Sequence, residues 1–241
     1  PAGKKMPFTL KLEVPDEIAV REVPALEYRE SFFCGNALDG EWAAHNRCNG
    51  HMPIMHAHQG GQIKYFPFVH TFDALLSPDE YFDEHPEYFS MVDGKRVRER
   101  TQLCLTNPDV VEIATKKVRQ WIEEHPEATI ISVSQNDWYN PCTCPECSKI
   151  DEAEGSHAGS LIAFVNKIAE NIEKDYPNIV IDTLAYQYAR TPPRTIRPRP
   201  NVCVRLCSIE CCFAHPLDKC DLVMSFGNRI HGASFQKDLE G

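Results

Sequence analysis

Apolar residues recur at helical spacing in two stretches of the chain and as short continuous runs in several others. From Asn107 to His125, Val111, Ala114, Val118, Trp121 and Ile122 fall on one helical face, behind a good N-cap in Asn107 and a proline at the first helical position, Pro108. A second amphipathic helix is expected to start near Ser156, with Leu161, Ile162, Val165, Ile168, Ala169 and Ile172 as its stripe. Apolar, β-branched runs predict strands at residues 128–134, 179–185 (after a Tyr176-Pro177-Asn178 turn) and 201–207 (after a connector rich in Pro and Arg). Residues 26–33 and 63–69 read as two more strands, separated by a polar segment rich in His, Asn and Gly, and residues 222–226 as a sixth.

These strands are continuous rather than alternating, and helices separate them, which points to a parallel sheet covered by helices. The expected fold class is α/β, a (β/α)8 TIM-barrel-like architecture with long βα loops. Five or six strands fall short of eight, and the chain begins at Pro1 without an initiator Met or a signal pattern. Residues 1–241 therefore read as a single barrel-type catalytic domain, an incomplete barrel fragment truncated at both ends relative to a longer parent.

Composition narrows the function classes. A formal net charge of -10 and a pI near 5.5 argue against a nucleic-acid partner, because such proteins usually present a basic face to phosphates. No apolar run approaches the roughly 20 residues that a membrane span requires. Eleven cysteines are an odd number, well below the density of a small disulfide scaffold, and leave the compartment open on chemistry alone.

The predicted strand ends carry the chemistry. They deliver His70-Thr71-Phe72, Gln135-Asn136-Asp137-Trp138, Tyr186-Gln187-Tyr188 and Ser208-Ile209-Glu210. Parallel neighbours would bring these groups to one edge of the sheet, where an α/β barrel builds its active site. Amides, acids and aromatic rings together are a carbohydrate-like inventory and suit an oligosaccharide as substrate. Asp137 fits a general acid if burial beside Trp138 raises its pKa; the plainer alternative is a carboxylate that caps its loop. Glu210 reads as a second carboxylate, a ligand for sugar hydroxyls or an ion-pair partner. His70 is either a hydrogen-bond partner for the substrate or a structural residue. His51, His56 and His58 read as a solvated loop, since no further ligand is spaced to complete a tetrahedral metal site.

Cys142-x-Cys144-x-x-Cys147, bracketed by Pro141 and Pro145, is the sharpest motif. Three thiols within six residues have the spacing of a zinc knuckle, which needs a fourth ligand from elsewhere, with Cys104, Cys207, Cys211 and Cys212 as candidates. One or two disulfides among the same residues are the alternative. In either case the role is structural, pinning the loop that begins at Asp137, and no cofactor is expected for catalysis.

Read in order, His70-Thr71-Phe72, His85-Pro86-Glu87-Tyr88-Phe89, residues 102–108 (QLCLTNP), Gln135-Asn136-Asp137, the cysteine cluster and Glu210-Cys211-Cys212 with His215-Pro216-Leu217 resemble a barrel domain common in gut Bacteroidetes. That domain was long of unknown function and is associated with glycoside hydrolase family 163; the likeness extends from Val23 to Glu240. The resemblance implies an exported (extracellular, periplasmic or cell-surface) endo-β-N-acetylglucosaminidase that cuts between the two core GlcNAc residues of N-glycans. It implies a substrate-assisted retaining mechanism, in which the 2-acetamido oxygen is the nucleophile. Within that scheme Asn136 would orient the acetamide and Asp137 would act as general acid/base. Gln135, Trp138, Tyr186 and Tyr188 would grip the sugar beside His70. Adjacent residues on an extended strand point to opposite sides, so Asn136 and Asp137 reach one sugar only if the chain turns there. Two other readings compete. One is a two-carboxylate glycosidase of the α-glucuronidase kind, with Asp137 and Glu210 as the pair and Arg205 recognising a sugar acid. The other is a glycan-binding module without catalysis.

Overall fold

The computed structural model describes residues 17, 19, 21–31, 38–211, 213–219, 222–225 and 228–231. Its helices are α1 (Gly40–His45), α2 (Phe72–Leu75), α3 (Pro78–Tyr81), α4 (Pro108–Glu124), α5 (Pro145–Glu154) and α6 (Ala158–Glu173). The strands are β1 (Tyr65–Phe66), β2 (Met91–Val92), β3 (Lys95–Arg96), β4 (Ile130–Ser132), β5 (Val180–Ala185), β6 (Val202–Leu206), β7 (Leu222–Ser225) and β8 (Asn228–His231).

Four of these strands form one sheet in the order β1-β4-β5-β6, every pair parallel, so the expected mixed α/β class with a parallel sheet is what the chain adopts. In register, Ile131 lies opposite Ile181 and Ile181 opposite Val202. Phe66, Ile131, Val133, Ile181 and Val202 face the core on one side of the sheet, where α4 and α6 pack over them and on each other. The α4 helix starts where the sequence places it: the Asn107 side chain accepts from the backbone N–H of Asp109 at 2.9 Å and of Val110 at 3.4 Å. Its buried stripe includes Val111, Ala114, Val118, Trp121 and Ile122. Ile168 of α6 is fully buried in the same core, and its truncation to alanine would cost about 2–5 kcal/mol.

Several elements depart from expectation. Residues 26–31 form no strand; their backbone is held by the loop that follows α1, through Asn49 N–H to Arg29 O and Arg29 N–H to Asn49 Oδ1, both at 2.9 Å. Residues 32 and 33 of that predicted run lie outside the described residues. The strand expected at 63–69 narrows to Tyr65–Phe66, because Pro67 has no N–H to continue the ladder. Residues 222–225 are a strand, but β7 pairs antiparallel with β8 and stands apart from the parallel sheet, and Phe226 lies outside the described residues. The short helices α1, α2 and α3, the strand β8, the β2–β3 hairpin and the α5 helix went unpredicted. The β2–β3 hairpin turns at Asp93 and Gly94, with φ of 49° and 75°, a sequence pair suited to two left-handed positions. The α5 helix follows the cysteine motif, with Pro145 in its first turn and Gly155 closing it at φ 70°.

Candidate functional site

The face of the sheet turned away from α4 and α6 is polar. By the two-residue alternation of strands it carries Tyr65, Ser132, Ser134, Asp182, Leu184 and Arg205. Asp182 is 1 % exposed. Burial pushes its carboxyl up to about 7, with Tyr65, Arg205 and Ser132 offsetting part of that. Tyr28, Glu30 and His51 lie over the same face: His51 Nδ1 is 2.7 Å from Glu30 Oε2 and 2.8 Å from Tyr28 Oη, and its ring stacks on Phe68. His51 is thereby committed, and His56 and His58 stack on each other.

At the carboxyl ends of β4, β5 and β6 this face opens into a cleft of about 530 Å³, lined by Phe68, His70, Asp137, Tyr186, Arg205 and Ser208 among others. The position is where parallel sheets place their binding groups. Asp137 stands at its rim, exposed, so the burial beside Trp138 on which the sequence reading depended is not what the chain adopts. Tyr186 Oη donates to Asp137 Oδ1 at 2.9 Å, Gln187 Nε2 donates to the same oxygen at 3.3 Å, and Gln187 Nε2 also donates to Tyr186 Oη at 3.1 Å. Burial and then the Asp137 carboxylate push the Tyr186 phenol up to about 12, so it remains a donor at neutral pH. His70 is fixed by its backbone N–H to Ser134 Oγ at 2.9 Å and by Nδ1 against Gln135 O at 2.8 Å. Donation from Nδ1 to that carbonyl turns Nε2 outward as an acceptor. Both His70 (φ 58°) and Gln187 (φ 47°) hold left-handed backbone, a strain that costs roughly 1–3 kcal/mol each and clusters at functional sites.

The structure separates the other predicted site residues from this cleft. Asn136 is 3 % exposed and points away from Asp137. Its Nδ2 donates to Asp73 Oδ1 at 2.7 Å and Thr101 O at 3.0 Å, while its Oδ1 accepts from Asp73 N–H at 3.1 Å. The chain does turn after Asn136, with Trp138 N–H bonded to Asn136 O at 2.8 Å, yet the turn sends the two side chains to different places. Gln135 is fully buried and donates to Leu184 O at 3.1 Å and Tyr186 O at 3.3 Å, bracing the cleft from behind. Trp138 and Tyr188 lie outside the lining: Trp138 is part-exposed on the loop, and Tyr188 packs edge-on against Tyr139 and His157. Glu210 is paired with Arg190, Nη1 to Oε2 at 3.4 Å, with side chains 15 % and 9 % exposed. Residues that sequence reasoning did not assign are Gln187, which sits between two aromatics that were, and Gln102. Gln102 Nε2 donates to Asn136 O and Trp138 O and its Oε1 accepts from Asn136 N–H, each at 2.9 Å, so one buried amide holds the whole 136–138 turn.

The cysteine motif closes with a fourth thiol. Cys104, Cys142, Cys144 and Cys147 are all buried, and their sulfurs lie within 4.8 Å of one another. Of the four candidates for the last ligand it is Cys104 that completes the group; Cys207 lines the cleft and Cys212 lies outside the described residues. The thiols stand unbridged, with Cys104 and Cys144 sulfurs 3.6 Å apart. A tetrahedral ion with metal–sulfur bonds of about 2.3 Å sets neighbouring sulfurs about 3.8 Å apart, so the cluster has the dimensions of a four-cysteine metal centre. Hydrogen bonds from Cys142 and Cys147 hold the Cys104 thiol far below its usual range, and the same bonds push Cys142 up to about 12 and Cys147 higher. Four thiolates this close need a cation to coexist. Outer donors are in place: Met91 N–H lies 3.4 Å from Cys142 Sγ, Arg96 Nη1 lies 3.6 Å from it, and Thr106 Oγ1 lies 3.3 Å from Cys147 Sγ. The four cysteines could therefore bind a metal, and through β2, the 101–107 loop and the first turn of α5 they tie three segments together.

No helix among the described residues is long and apolar enough to cross a membrane. No curated protein and no solved structure matches the chain. The family model that does match carries no assigned activity and does not link the chain to glycoside hydrolase family 163 or to Bacteroidetes. That match runs over residues 1–234, nearly the whole chain, and the protein belongs to the family described as a domain of unknown function, DUF4838.

Proposed function

We propose that this chain carries the active site of a glycoside hydrolase, an endo-β-N-acetylglucosaminidase acting on N-glycans, and that its sheet is part of a (β/α)8 barrel. The observation that carries the reading is that Asp137 is the one carboxylate lining the cleft among the described residues, set at the end of β4 between a histidine and a tyrosine. A single carboxylate suits substrate assistance, in which the sugar supplies its own nucleophile. The acetamido carbonyl oxygen attacks the anomeric carbon, the bond to the leaving GlcNAc oxygen breaks, and that oxygen takes the proton from Asp137. Water then gives a proton back to Asp137 and attacks the same carbon, which reopens the oxazolinium ring. Tyr186 and Gln187 occupy Oδ1, so Oδ2 is the atom that carries the proton. On substrate binding Tyr186 turns its one hydroxyl proton from Asp137 Oδ1, which Gln187 continues to hold, to the acetamide, and so takes the polarising role that the sequence suggested for Asn136. The barrel assignment is supported by the polar second face of the sheet, since a parallel sheet covered by helices on one side needs its other side enclosed.

Two-carboxylate chemistry with Asp137 and Glu210 is disfavoured by the Arg190 ion pair, which occupies Glu210 outside the cleft lining. We propose zinc as the ion of the four-cysteine centre, in a structural role, because four thiolates leave no open coordination position.

The test is to incubate the protein with a high-mannose or complex N-glycoprotein and look by mass spectrometry for a single GlcNAc left on each site. A thiazoline mimic of the oxazolinium should inhibit strongly. Absence of glycan release, with cleavage of a glucuronyl-xylan oligosaccharide instead, would sink the N-glycan assignment. Release without thiazoline inhibition would sink substrate assistance. Glycan binding that survives in Asp137→Asn, with no turnover in the parent, would mark a binding module.

A further inference from the structure

Arg205 is held in the cleft with a buried donor unspent. Its guanidinium carbon lies 5.6, 5.3 and 5.1 Å from the ring centres of Tyr28, Tyr65 and Phe68. Aromatic neighbours stabilise the cation but accept none of its hydrogen bonds. Nε is fully buried without a hydrogen-bond partner, while the Tyr65 and Tyr28 hydroxyls lie beside the guanidinium. The Tyr28 hydroxyl, one of its neighbours, donates to Glu30. The nearest carboxylate oxygen, Asp182 Oδ1, is 4.0 Å from Nε, beyond hydrogen-bond reach.

Other inward arginines differ: Arg96 donates to Phe89 O, Arg190 to Glu210 and Arg199 to Glu173. The charge of Arg205 faces one carboxylate, Asp182, at the long distance of 4.0 Å. Burial pushes the Asp182 carboxyl up to about 7, so its proton is held more tightly than an ordinary carboxyl's, and burial pushes the Cys207 thiol in the same wall up to about 11, which keeps it uncharged. A buried donor without an acceptor costs roughly 1–3 kcal/mol, more when charged, and a planar fork of such donors matches a carboxylate or sulfate.

We infer that Arg205 is an anion subsite of the cleft, and that the glycan bound there carries a carboxylate or sulfate on or next to the sugar that Asp137 acts upon. The inference rests on reading the cleft as a glycan site. Asp137 follows β4 and Arg205 lies in β6, two strands away in the sheet. An anion on Arg205 and a sugar at Asp137 would then be held from different strands of the one cleft. Leu184, in register with Arg205, and Phe68 give the subsite an apolar floor that strengthens the pairing by excluding water.

The experiment is isothermal titration of the Asp137→Asn protein with matched oligosaccharides: neutral N-acetyllactosamine, its 6-sulfated form, its sialylated form and a glucuronylated disaccharide. At least one acidic probe should bind about tenfold or more tighter than the neutral parent, with the preference weakening as salt rises. Arg205→Gln in the same background should abolish the preference while neutral binding stays within about twofold. Arg205→Lys, which keeps the charge and loses the fork, should retain a sulfate preference better than a carboxylate one, and this separates the two sources of the anion. Equal binding of neutral and acidic probes, or a preference that survives Arg205→Gln, overturns the subsite and leaves the glycan reading standing. If no oligosaccharide binds but free glucuronate or sulfate shifts the Arg205 Nε resonance, the subsite stands and the glycan reading falls. If neither occurs, the subsite falls.

Discussion

Replacing Cys104 by serine tests the four-cysteine centre at the ligand that the local CxCxxC spacing does not contain. Structural zinc contributes roughly 10–16 kcal/mol of apparent binding free energy at neutral pH, so each of four thiolates accounts for about 3 kcal/mol. For a domain of this length 1 kcal/mol moves the melting temperature by roughly 2–4 °C, and Cys104→Ser should lower it by about 6–12 °C. Cys203→Ser, at an exposed position outside the cluster, is the control and should leave melting within about 1 °C. Elemental analysis should find one zinc per chain in the parent and a deficit in Cys104→Ser. Under denaturing conditions the four cluster thiols should react with a thiol reagent only after a chelator is added. Oxidised cysteine pairs without metal, or a Cys104→Ser protein that melts with the control, would refute the argument. The same measurement addresses the loop, because Thr143 N–H and Oγ1 both bond Met91 O, at 2.8 and 2.7 Å, beside the centre. Chelation should therefore raise amide exchange in the β2–β3 hairpin and in residues 140–147 before it does so in α4.

Three further outcomes follow from the geometry. Asp137→Asn should reduce glycan release by about 10²–10⁴ with melting unchanged within about 1 °C, since the side chain is exposed; equal losses in rate and stability would argue for a structural carboxylate. Asp182 titrates near 7 when folded against 3.8 unfolded, so the folded state holds its proton longer, and the stability that this group contributes is present at low pH and lost as pH rises through 7. Denaturant unfolding should show the parent losing about 3 kcal/mol more than Asp182→Asn between pH 5 and pH 8; parallel curves would remove Asp182 from the pH dependence. Tyr186→Phe should cut the rate by about tenfold or more while Glu210→Gln acts chiefly on stability, and a reversal of that order would revive the two-carboxylate mechanism.

Elements with an apolar stripe or run were legible in the sequence. The helices at 108–124 and 158–173 and the four parallel strands bury ordinary hydrophobic residues at the period of their secondary structure. The α5 helix was not legible for a physical reason: it buries Cys147, Asp151 and Glu154, at helical spacing but with polar or metal-binding side chains. Asp151 accepts from Ser160 N–H at 2.9 Å and pairs with His157 at 2.7 Å, and Glu154 accepts from the backbone N–H groups of Thr195 and Ile196 at 2.6 and 3.1 Å. Hydrophobic periodicity is blind to a face that packs by hydrogen bonds; Pro145 and Gly155 were its remaining marks. Residues 26–31 failed in the opposite sense, since their apolar residues suggested a strand while Arg29 and Asn49 tie the backbone elsewhere. The strand ends were legible as places, but the turn at Gln187 and the buried Gln102 amide decide which side chains enter the cleft, and no pattern of residue types encodes that.

Asn136 and Asp137 show why activity loss by itself cannot assign a role at such an edge. The Asn136 amide has its polar atoms spent on Asp73 and Thr101, and truncation to alanine leaves the buried Thr101 carbonyl without this partner and breaks the part-buried contacts to Asp73. Each orphaned group costs roughly 1–3 kcal/mol, so Asn136→Ala should lose about 3 kcal/mol of stability and melt about 6–12 °C lower. Its lysate activity would fall steeply, as expected also for a residue that polarises an acetamide. Turnover per folded molecule separates the two cases. Measured well below the lowered melting temperature, with active sites counted by tight thiazoline binding, a positioning residue leaves kcat within about threefold, whereas loss of a transition-state hydrogen bond costs about 10²–10³. A large kcat defect in a protein that melts like the parent would mean that the Asn136 amide swings into the cleft during turnover, and the assignment of the polarising role to Tyr186 would then fall.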